Sequence, residues 1–233
     1  MKVEVSGLSA GYGRITILRD LNLSVERGEI IGVLGRNGMG KSTLVHTLAG
    51  LLPATAGRIE FDEVDVTASS VRERACAGVT TVVQGRGIFP RLTVRENLIM
   101  GRVAAGQSRP DRSAEVLEYF PRLGERMNQL AGTMSGGEQQ MLAIGRGLMT
   151  HPKLMLLDEP SDGIMPKLVN QIAETLVEIN KREGMTILIV EQNVPMVFEM
   201  ARNFTVMEKG QAIYQGETAA VSMEDIMHQY LAI

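Results

Sequence analysis

Residues 35–42 determine the fold class and read Gly35-Arg36-Asn37-Gly38-Met39-Gly40-Lys41-Ser42. This stretch satisfies the pattern G-x-x-x-x-G-K-[ST] of a phosphate-binding loop. An apolar run at residues 30–34 precedes it, and a helical pattern at residues 41–49 follows it. In this context glycines let backbone N–H groups surround an anion, and the helix N-terminus adds positive potential. We therefore expect Lys41 to reach the β- and γ-phosphates of a nucleotide and Ser42 to bind Mg²⁺. The complete match in this context disfavours the alternative, a glycine-rich turn without a ligand.

A second apolar run, at residues 154–157, ends in the two carboxylates Asp158 and Glu159. At the C-terminal end of a strand, Asp158 is placed to orient Mg²⁺ and Glu159 to polarise an attacking water. Taken alone, the segment is better explained by a solvated strand end. The phosphate-binding loop upstream makes the functional interpretation the stronger one.

The composition is that of an ordinary globular protein, with 44% hydrophobic and 22% charged residues among 233. This content excludes global disorder. The 24 Lys and Arg against 27 Asp and Glu give a net charge of −3, which implies no general attraction to nucleic acid. The single cysteine, Cys76, indicates a reducing compartment. No apolar run approaches the roughly 20 residues that span a bilayer, and the first residues show no secretory pattern, so we expect a cytosolic protein.

The hydrophobic pattern predicts two kinds of strand. Apolar and polar residues alternate near the N-terminus and again at residues 59–61, which predicts an antiparallel sheet with one solvated face. Other runs are short and almost wholly apolar, which predicts a parallel sheet buried on both faces. These runs are residues 30–34, 79–83, 154–157 and 187–190.

Helical patterns occupy the rest of the chain. Residues 167–183 carry an apolar stripe that begins after Pro166 and ends at Gly184. Between about residues 88 and 150 strand patterns give way to helical ones, with a break at Pro121. The predicted fold class is therefore α/β, with a mostly parallel sheet, an antiparallel β subdomain and a helical insertion.

Residues 135–138, Ser135-Gly136-Gly137-Glu138, precede one of these helices. Ser135 and Glu138 match an S-x-x-E capping box, which is a purely structural explanation. Two glycines in a first helical turn, however, cost stability that alanines would not. They suit the close approach of a second phosphate group to the helix N-terminus.

Taken together, these segments resemble the ATP-binding cassette (ABC) ATPases. Ser135-Gly136-Gly137 resembles the centre of their signature motif, and Gln84 resembles the residue of their glutamine loop. Tyr12 matches the aromatic residue that stacks on adenine. The resemblance covers residues 1–233 and implies a single ABC ATPase domain with a P-loop NTPase core and a helical subdomain at about residues 88–150.

The resemblance also implies the roles of individual residues. Catalysis would involve Glu159 and Gln192, and Mg²⁺ would be held by Ser42, Gln84 and Asp158. The residues that would bind ATP are Tyr12, Gly35, Arg36, Asn37, Gly38, Met39, Gly40, Lys41, Ser42, Thr43, Gln84, Ser135, Gly136, Gly137 and Glu138.

The partners that the resemblance implies are a second ABC ATPase subunit and transmembrane permease subunits. Each ATP would lie between the phosphate loop of one subunit and the signature helix of the other, in a head-to-tail dimer of identical or paralogous chains. The chain would be cytoplasmic and peripheral on the inner face of the cell membrane, with no nucleic acid partner. Residues 84–94 and 190–193 are similar to the ATPases of branched-chain amino acid and urea importers, and residues 159–164 are closer to the urea and short-chain amide branch.

Two residues depart from the wider ABC pattern. Gln192 stands where most members have a switch histidine, and Met165 stands where the loop after the catalytic glutamate usually has aspartate. The missing histidine allows an alternative function, a nucleotide-gated regulatory binding module with negligible turnover, although Glu159 opposes it. A soluble ABC protein of DNA repair or translation usually has a coiled-coil insertion or two cassettes, for which this length leaves no room. A nucleoside kinase would lack the signature segment.

Overall fold

Two sheets organise the residues that this computed structural model describes, which are 1–105 and 109–231. The strands of these ranges are β1 (Val3–Tyr12), β2 (Ile15–Val25), β3 (Ile30–Leu34), β4 (Ala54–Phe61), β5 (Val64–Asp65), β6 (Val79–Val82), β7 (Leu154–Asp158), β8 (Thr186–Glu191), β9 (Asn203–Glu208) and β10 (Gln211–Glu217). The helices are α1 (Lys41–Leu48), α2 (Val71–Ala77), α3 (Val94–Ala105), α4 (Ser113–Tyr119), α5 (Pro121–Gly124), α6 (Gly136–Leu148), α7 (Pro166–Glu183), α8 (Val194–Met200) and α9 (Met223–Ile226).

The N-terminal strands form the predicted antiparallel sheet, in the order β2-β1-β4-β5. In its register Val3 lies opposite Val25 on one side and Phe61 on the other. All three side chains are buried, whereas Glu4, the next residue of β1, is partly exposed. The alternation in the sequence therefore places one face of this sheet against the core and leaves the other in solvent.

The second sheet has the order β10-β9-β3-β8-β7-β6, in which β10 is antiparallel and the other strands are parallel. The four apolar runs of the sequence form β3, β6, β7 and β8, as predicted. The prediction is one residue too long for the strand that ends at Val82 and for the helix that ends at Leu48. The pattern does not predict β9 and β10, because polar residues interrupt both strands and half of β10 is exposed.

Alternate residues of the central strands enter two separate apolar layers. Met155 and Leu157 of β7 pack with α6 and α7, whereas Leu154 and Leu156 pack with α1 and the antiparallel sheet. Successive side chains of a strand point to opposite faces, so a run without polar residues fills both layers. Three layers result, with the parallel sheet between the helices and the antiparallel sheet.

The predicted helical insertion contains α3, α4, α5 and α6, and its residues 106–108 lie outside the described residues. The predicted break at Pro121 is confirmed, because α4 ends at Tyr119 and α5 begins at the proline. The capping box is also confirmed: Ser135 Oγ accepts from the Glu138 N–H, and the Glu138 carboxylate accepts from the Ser135 N–H. Within the described ranges, every helix is too short or too polar to cross a bilayer.

Candidate nucleotide-binding site

The loops that follow β3, β7 and β8 meet at one edge of the parallel sheet. Neighbouring parallel strands end at the same edge, and Leu34 of β3 lies opposite Glu191 of β8. The backbone continues this pairing beyond the strands: the Gly35 N–H donates to the Glu191 carbonyl (3.2 Å), and the Glu159 N–H donates to the Val190 carbonyl (2.9 Å). The carboxyl edge of such a sheet is where α/β proteins bind ligands.

The phosphate-binding loop connects β3 to α1 through a left-handed backbone. Gly38 and Gly40 have φ angles of 79° and 102°, which side-chain-bearing residues rarely adopt. Gly40 is also the N-cap of α1, and no side chain caps this helix end. The first N–H groups of α1 are therefore available to an anion, and the helix dipole favours negative charge there.

Lys41 points back from the first turn of α1 into this loop. Its Nζ donates to the carbonyl oxygens of Gly35 (2.7 Å) and Arg36 (3.0 Å) and forms an ion pair with Glu159 Oε1 (3.0 Å). The Lys41 side chain is only 2% exposed. An ammonium group has three donors, and these acceptors engage all three. A phosphate that binds Lys41 must therefore replace at least one of them.

Ser42 and Asp158 form the second polar contact of the site. Ser42 Oγ donates to Asp158 Oδ1 (3.0 Å), while the buried Asp158 Oδ2 has no hydrogen-bond partner within residues 1–105 and 109–231. Burial raises the pKa of the Asp158 carboxyl, the Ser42 hydrogen bond opposes this shift, and the Glu159 charge adds to it. A buried carboxylate oxygen without a donor, next to a hydroxyl, fits the oxygen ligands that Mg²⁺ prefers. The donor set therefore fits the predicted ion.

Glu159 links the phosphate loop to Gln84. Its backbone is left-handed, with a φ of 46°. Its Oε2 accepts from Gln84 Nε2 (3.0 Å), and the same amide nitrogen lies 3.5 Å from Asp162 Oδ2. The sequence does not predict Asp162 as a site residue, because a lone carboxylate in a loop after a strand has no distinctive spacing.

Lys41, Ser42, Gln84 and Glu159 line a cleft of about 380 Å³. Tyr12 lies in this cleft with half of its side-chain surface exposed, and its hydroxyl lies 3.1 Å from Nδ1 of His46 on α1. The sequence pattern reveals neither Ile17, which lines the cleft, nor His46, which contacts the Tyr12 hydroxyl from outside the lining. The lining comprises Tyr12, Ile17, Asn37, Gly38, Gly40, Lys41, Ser42, Thr43, Gln84 and Glu159.

The predicted signature residues 135–138 do not line this cleft. The side chain of Ser135 is engaged in the capping box of its own helix. A Cβ on Gly136 would lie 2.8 Å from an Arg86 nitrogen, and one on Gly137 would lie 2.4 Å from Leu168. Contact with Leu168 therefore gives a structural reason for glycine at position 137, whereas at position 136 the nearest atom is the end of the flexible Arg86 side chain. The contact of these glycines with a phosphate stays a prediction.

Gln192 is also separate from the cleft lining. Its backbone N–H donates to Glu191 Oε2 (3.0 Å) at the start of the turn that leads into α8. The structure thus brings together the phosphate loop, Tyr12, Gln84, Asp158 and Glu159. It places Gln192 at the same sheet edge but outside the cleft.

Known proteins resemble this chain in sequence and in fold. The family model described as ABC transporter matches residues 18–162. The chain is 44% identical over 218 residues to the high-affinity branched-chain amino acid transport ATP-binding protein BraG of Pseudomonas aeruginosa, which covers 92% of each chain. It is 33% identical over 210 residues to the probable branched-chain amino acid transport ATP-binding protein LivF of Archaeoglobus fulgidus, covering 90% of this chain and 89% of the relative. A solved ATP-binding cassette of an ABC transporter, in its ADP conformation, superposes with a TM-score of 0.87 at 28% identity, covering 100% of this chain and 98% of that one.

Proposed function

This chain belongs to the ABC transporter family, and we propose that it is the ATPase subunit that powers import of a branched-chain amino acid. The observation that carries the ATP-hydrolysing function is that Lys41, Ser42 and Glu159 line one cleft, with Asp158 hydrogen-bonded to Ser42. The 44% identity to BraG supports the choice of cargo. The second candidate for the cargo is urea or a short-chain amide, because residues 159–164 resemble the ATPases of that branch.

ATP is proposed to bind with its adenine against Tyr12 and its phosphates in the loop at residues 35–42. The aromatic ring of Tyr12 and the first turn of α1 line the same cleft, so one nucleotide can contact both. The backbone N–H groups of the loop receive phosphate oxygens, and Thr43 follows in the same turn. Phosphate oxygens replace Glu159 as the partner of Lys41, because both are anions that compete for the same donors.

Mg²⁺ is proposed to be held by Ser42 and Asp158, with Gln84 beside them. The uncompensated Asp158 Oδ2 and the adjacent Ser42 hydroxyl support this assignment. When bound, the ion would neutralise negative charge on the nucleotide phosphates.

Hydrolysis is proposed to use Glu159 as the general base. Once phosphate occupies Lys41, the Glu159 carboxylate is free to accept a proton from the attacking water. Gln84 donates to Glu159 Oε2, which orients the carboxylate. Gln192 is proposed to donate a hydrogen bond to a γ-phosphate oxygen, because an amide has a suitable donor and does not titrate near neutrality.

A second ATPase subunit is proposed to complete the site. The signature residues 135–138 lie outside the cleft of their own chain, and Ser135 at the start of α6 is exposed, so this helix end is proposed to face the nucleotide of a partner in a head-to-tail dimer. The chain would bind permease subunits at the inner face of the membrane through its helical insertion. Phe89, Ile99, Met100 and Val103 expose 40–60% of their surface there, and Phe89 and Met100 line a cavity of about 300 Å³.

Two measurements test this function. Purified chain should release phosphate from ATP in steady state, and no turnover above a Lys41→Ala background would instead support the regulatory binding module. Cells that lack the chain should lose uptake of labelled leucine and regain it when the parent chain, but not Lys41→Ala, is restored. Loss of urea uptake with unchanged leucine uptake would overturn the proposed cargo and support the second candidate.

A further inference from the structure

We infer that Glu191 is a positioning residue for ATP hydrolysis. Its carboxylate fixes the relative positions of the loop after β7, which contains Glu159, and the turn after β8, which contains Gln192. This inference rests on the roles proposed above for Glu159 and Gln192. Glu191 is the last residue of β8, and its side chain contacts backbone groups rather than the cleft.

The Glu191 carboxylate accepts three backbone hydrogen bonds from two segments. Oε1 accepts from the Ser161 N–H (2.8 Å), two residues beyond Glu159. Oε2 accepts from the N–H groups of Gln192 and Asn193 (3.0 Å each). The Glu191 main-chain carbonyl also accepts from the Gly35 N–H at the start of the phosphate loop. This one residue therefore contacts all three loops that build the site.

Only a carboxylate satisfies this arrangement. All three partners are donors, and an ionised carboxylate is an acceptor at both oxygens. Glu191 is 2% exposed, and burial raises the pKa of its carboxyl while the N–H groups of Asn193, Ser161 and Gln192 oppose that shift. A glutamine of the same shape would direct its NH₂ group at an N–H donor, and that contact would be lost.

The Ser161 contact bears directly on the proposed base. Glu159 has a left-handed φ of 46°, and such strain persists only when the surrounding structure determines it. The loop is held on one side by the Glu159 N–H bond to Val190 and on the other by the Ser161 bond to Glu191. Loss of the second bond frees the loop and displaces the carboxylate from its position beside Lys41.

The test compares Glu191→Gln with Ile189→Val, a control that loses a buried methylene from the same strand and leaves the loops unchanged. We expect Glu191→Gln to lower kcat by roughly 10-fold or more at an unchanged ATP dissociation constant, since small displacements of a catalytic group have effects of this size. Ile189→Val should keep the kcat of the parent. Amide hydrogen exchange should also accelerate at Ser161 in Glu191→Gln and not in the control.

A kcat for Glu191→Gln within about twofold of the parent would overturn the inference. So would an equal fall in kcat for Ile189→Val, because the effect would then follow stability alone. If Glu191→Gln does not fold, Glu191→Asp replaces it under the same criteria, since it keeps the charge but is too short to reach both segments. Glu159→Gln is measured alongside: parent turnover in that variant overturns the proposed base, whereas parent turnover in Glu191→Gln alone overturns only the role of Glu191.

Discussion

The Nζ atom of Lys41 lies 3.0 Å from Oε1 of Glu159, so the residue proposed to bind phosphate and the proposed base are paired with each other. Both groups are largely withdrawn from water, with 2% and 14% of their side chains exposed. We propose that phosphate binding at Lys41 breaks this pair and releases the carboxylate. Nucleotide binding and activation of the base would then be coupled through one contact.

Lys41→Ala should abolish tight ATP binding, because it removes the charge that meets the β- and γ-phosphates. Direct titration with ATP measures the effect, and Lys181→Ala, an exposed lysine of α7, is the matched control. Undiminished affinity in Lys41→Ala would contradict the phosphate-loop assignment.

Gln192→Ala should lower turnover by roughly 10–100-fold, on the order of 1.4–2.7 kcal/mol of transition-state stabilisation. The reason is the loss of an amide that donates to the γ-phosphate, and Gln192→His should remain active because a neutral imidazole can donate as well. The assay is ATP turnover with the cognate permease, with the exposed Gln229 changed to Ala as the control. Parent turnover in Gln192→Ala would show that this residue only leads into α8, whose cap is Asn193.

The Asp158 carboxyl should make the stability of the chain depend on pH in the absence of Mg²⁺. Its pKa is raised in the folded state, so the folded chain holds this proton more tightly than the unfolded one. The stability contribution of the protonated form is present below the ordinary pKa and is lost as pH rises through the raised one. Asp158→Asn should remove this loss. The unfolding free energy of the variant minus that of the parent should therefore increase with pH across the acidic range.

Urea unfolding at several pH values measures this difference. A difference independent of pH would contradict the raised pKa of the Asp158 carboxyl.

Purified alone, the chain should be mostly monomeric and a weak ATPase, because the proposed site needs the signature helix of a second subunit. Sedimentation measurements with and without ATP test this, together with turnover as a function of chain concentration. Turnover per chain should rise with concentration. A stable dimer in the absence of nucleotide would count against it.

Local spacing predicts the parts of the site that lie within one segment. The phosphate loop, the Asp158–Glu159 pair and the Ser135 capping box each depend on residues a few positions apart, so their geometry is encoded locally. The contacts that the pattern does not predict join distant segments: Tyr12 with His46, and Gln84 with Asp162. Such pairs depend on how strands and helices pack, and a single sequence carries no periodic signal for them.

The sequence also does not show which contacts each glycine and Glu191 make with distant segments. The left-handed turns at Gly38 and Gly40 belong to the motif itself. The close contacts of Gly136 and Gly137, in contrast, involve Arg86 and Leu168, which lie in distant segments of the chain. No sequence motif marks Glu191 at the end of its apolar strand as a functional residue. Only the packing of the sheet edge brings the Ser161 N–H to its carboxylate.

Phosphate release by Glu159→Gln measures directly whether this cleft hydrolyses ATP with Glu159 as the base. An amide is a poor proton acceptor, so turnover should fall by about 10²–10⁴-fold. ATP binding should persist, because Lys41 and the loop are unchanged, and the trapped nucleotide should hold the chain as a dimer in sedimentation measurements. The matched control is Glu174→Gln, an exposed carboxylate of α7, which should behave as the parent. Hydrolysis by Glu159→Gln at the parent rate would contradict the claim.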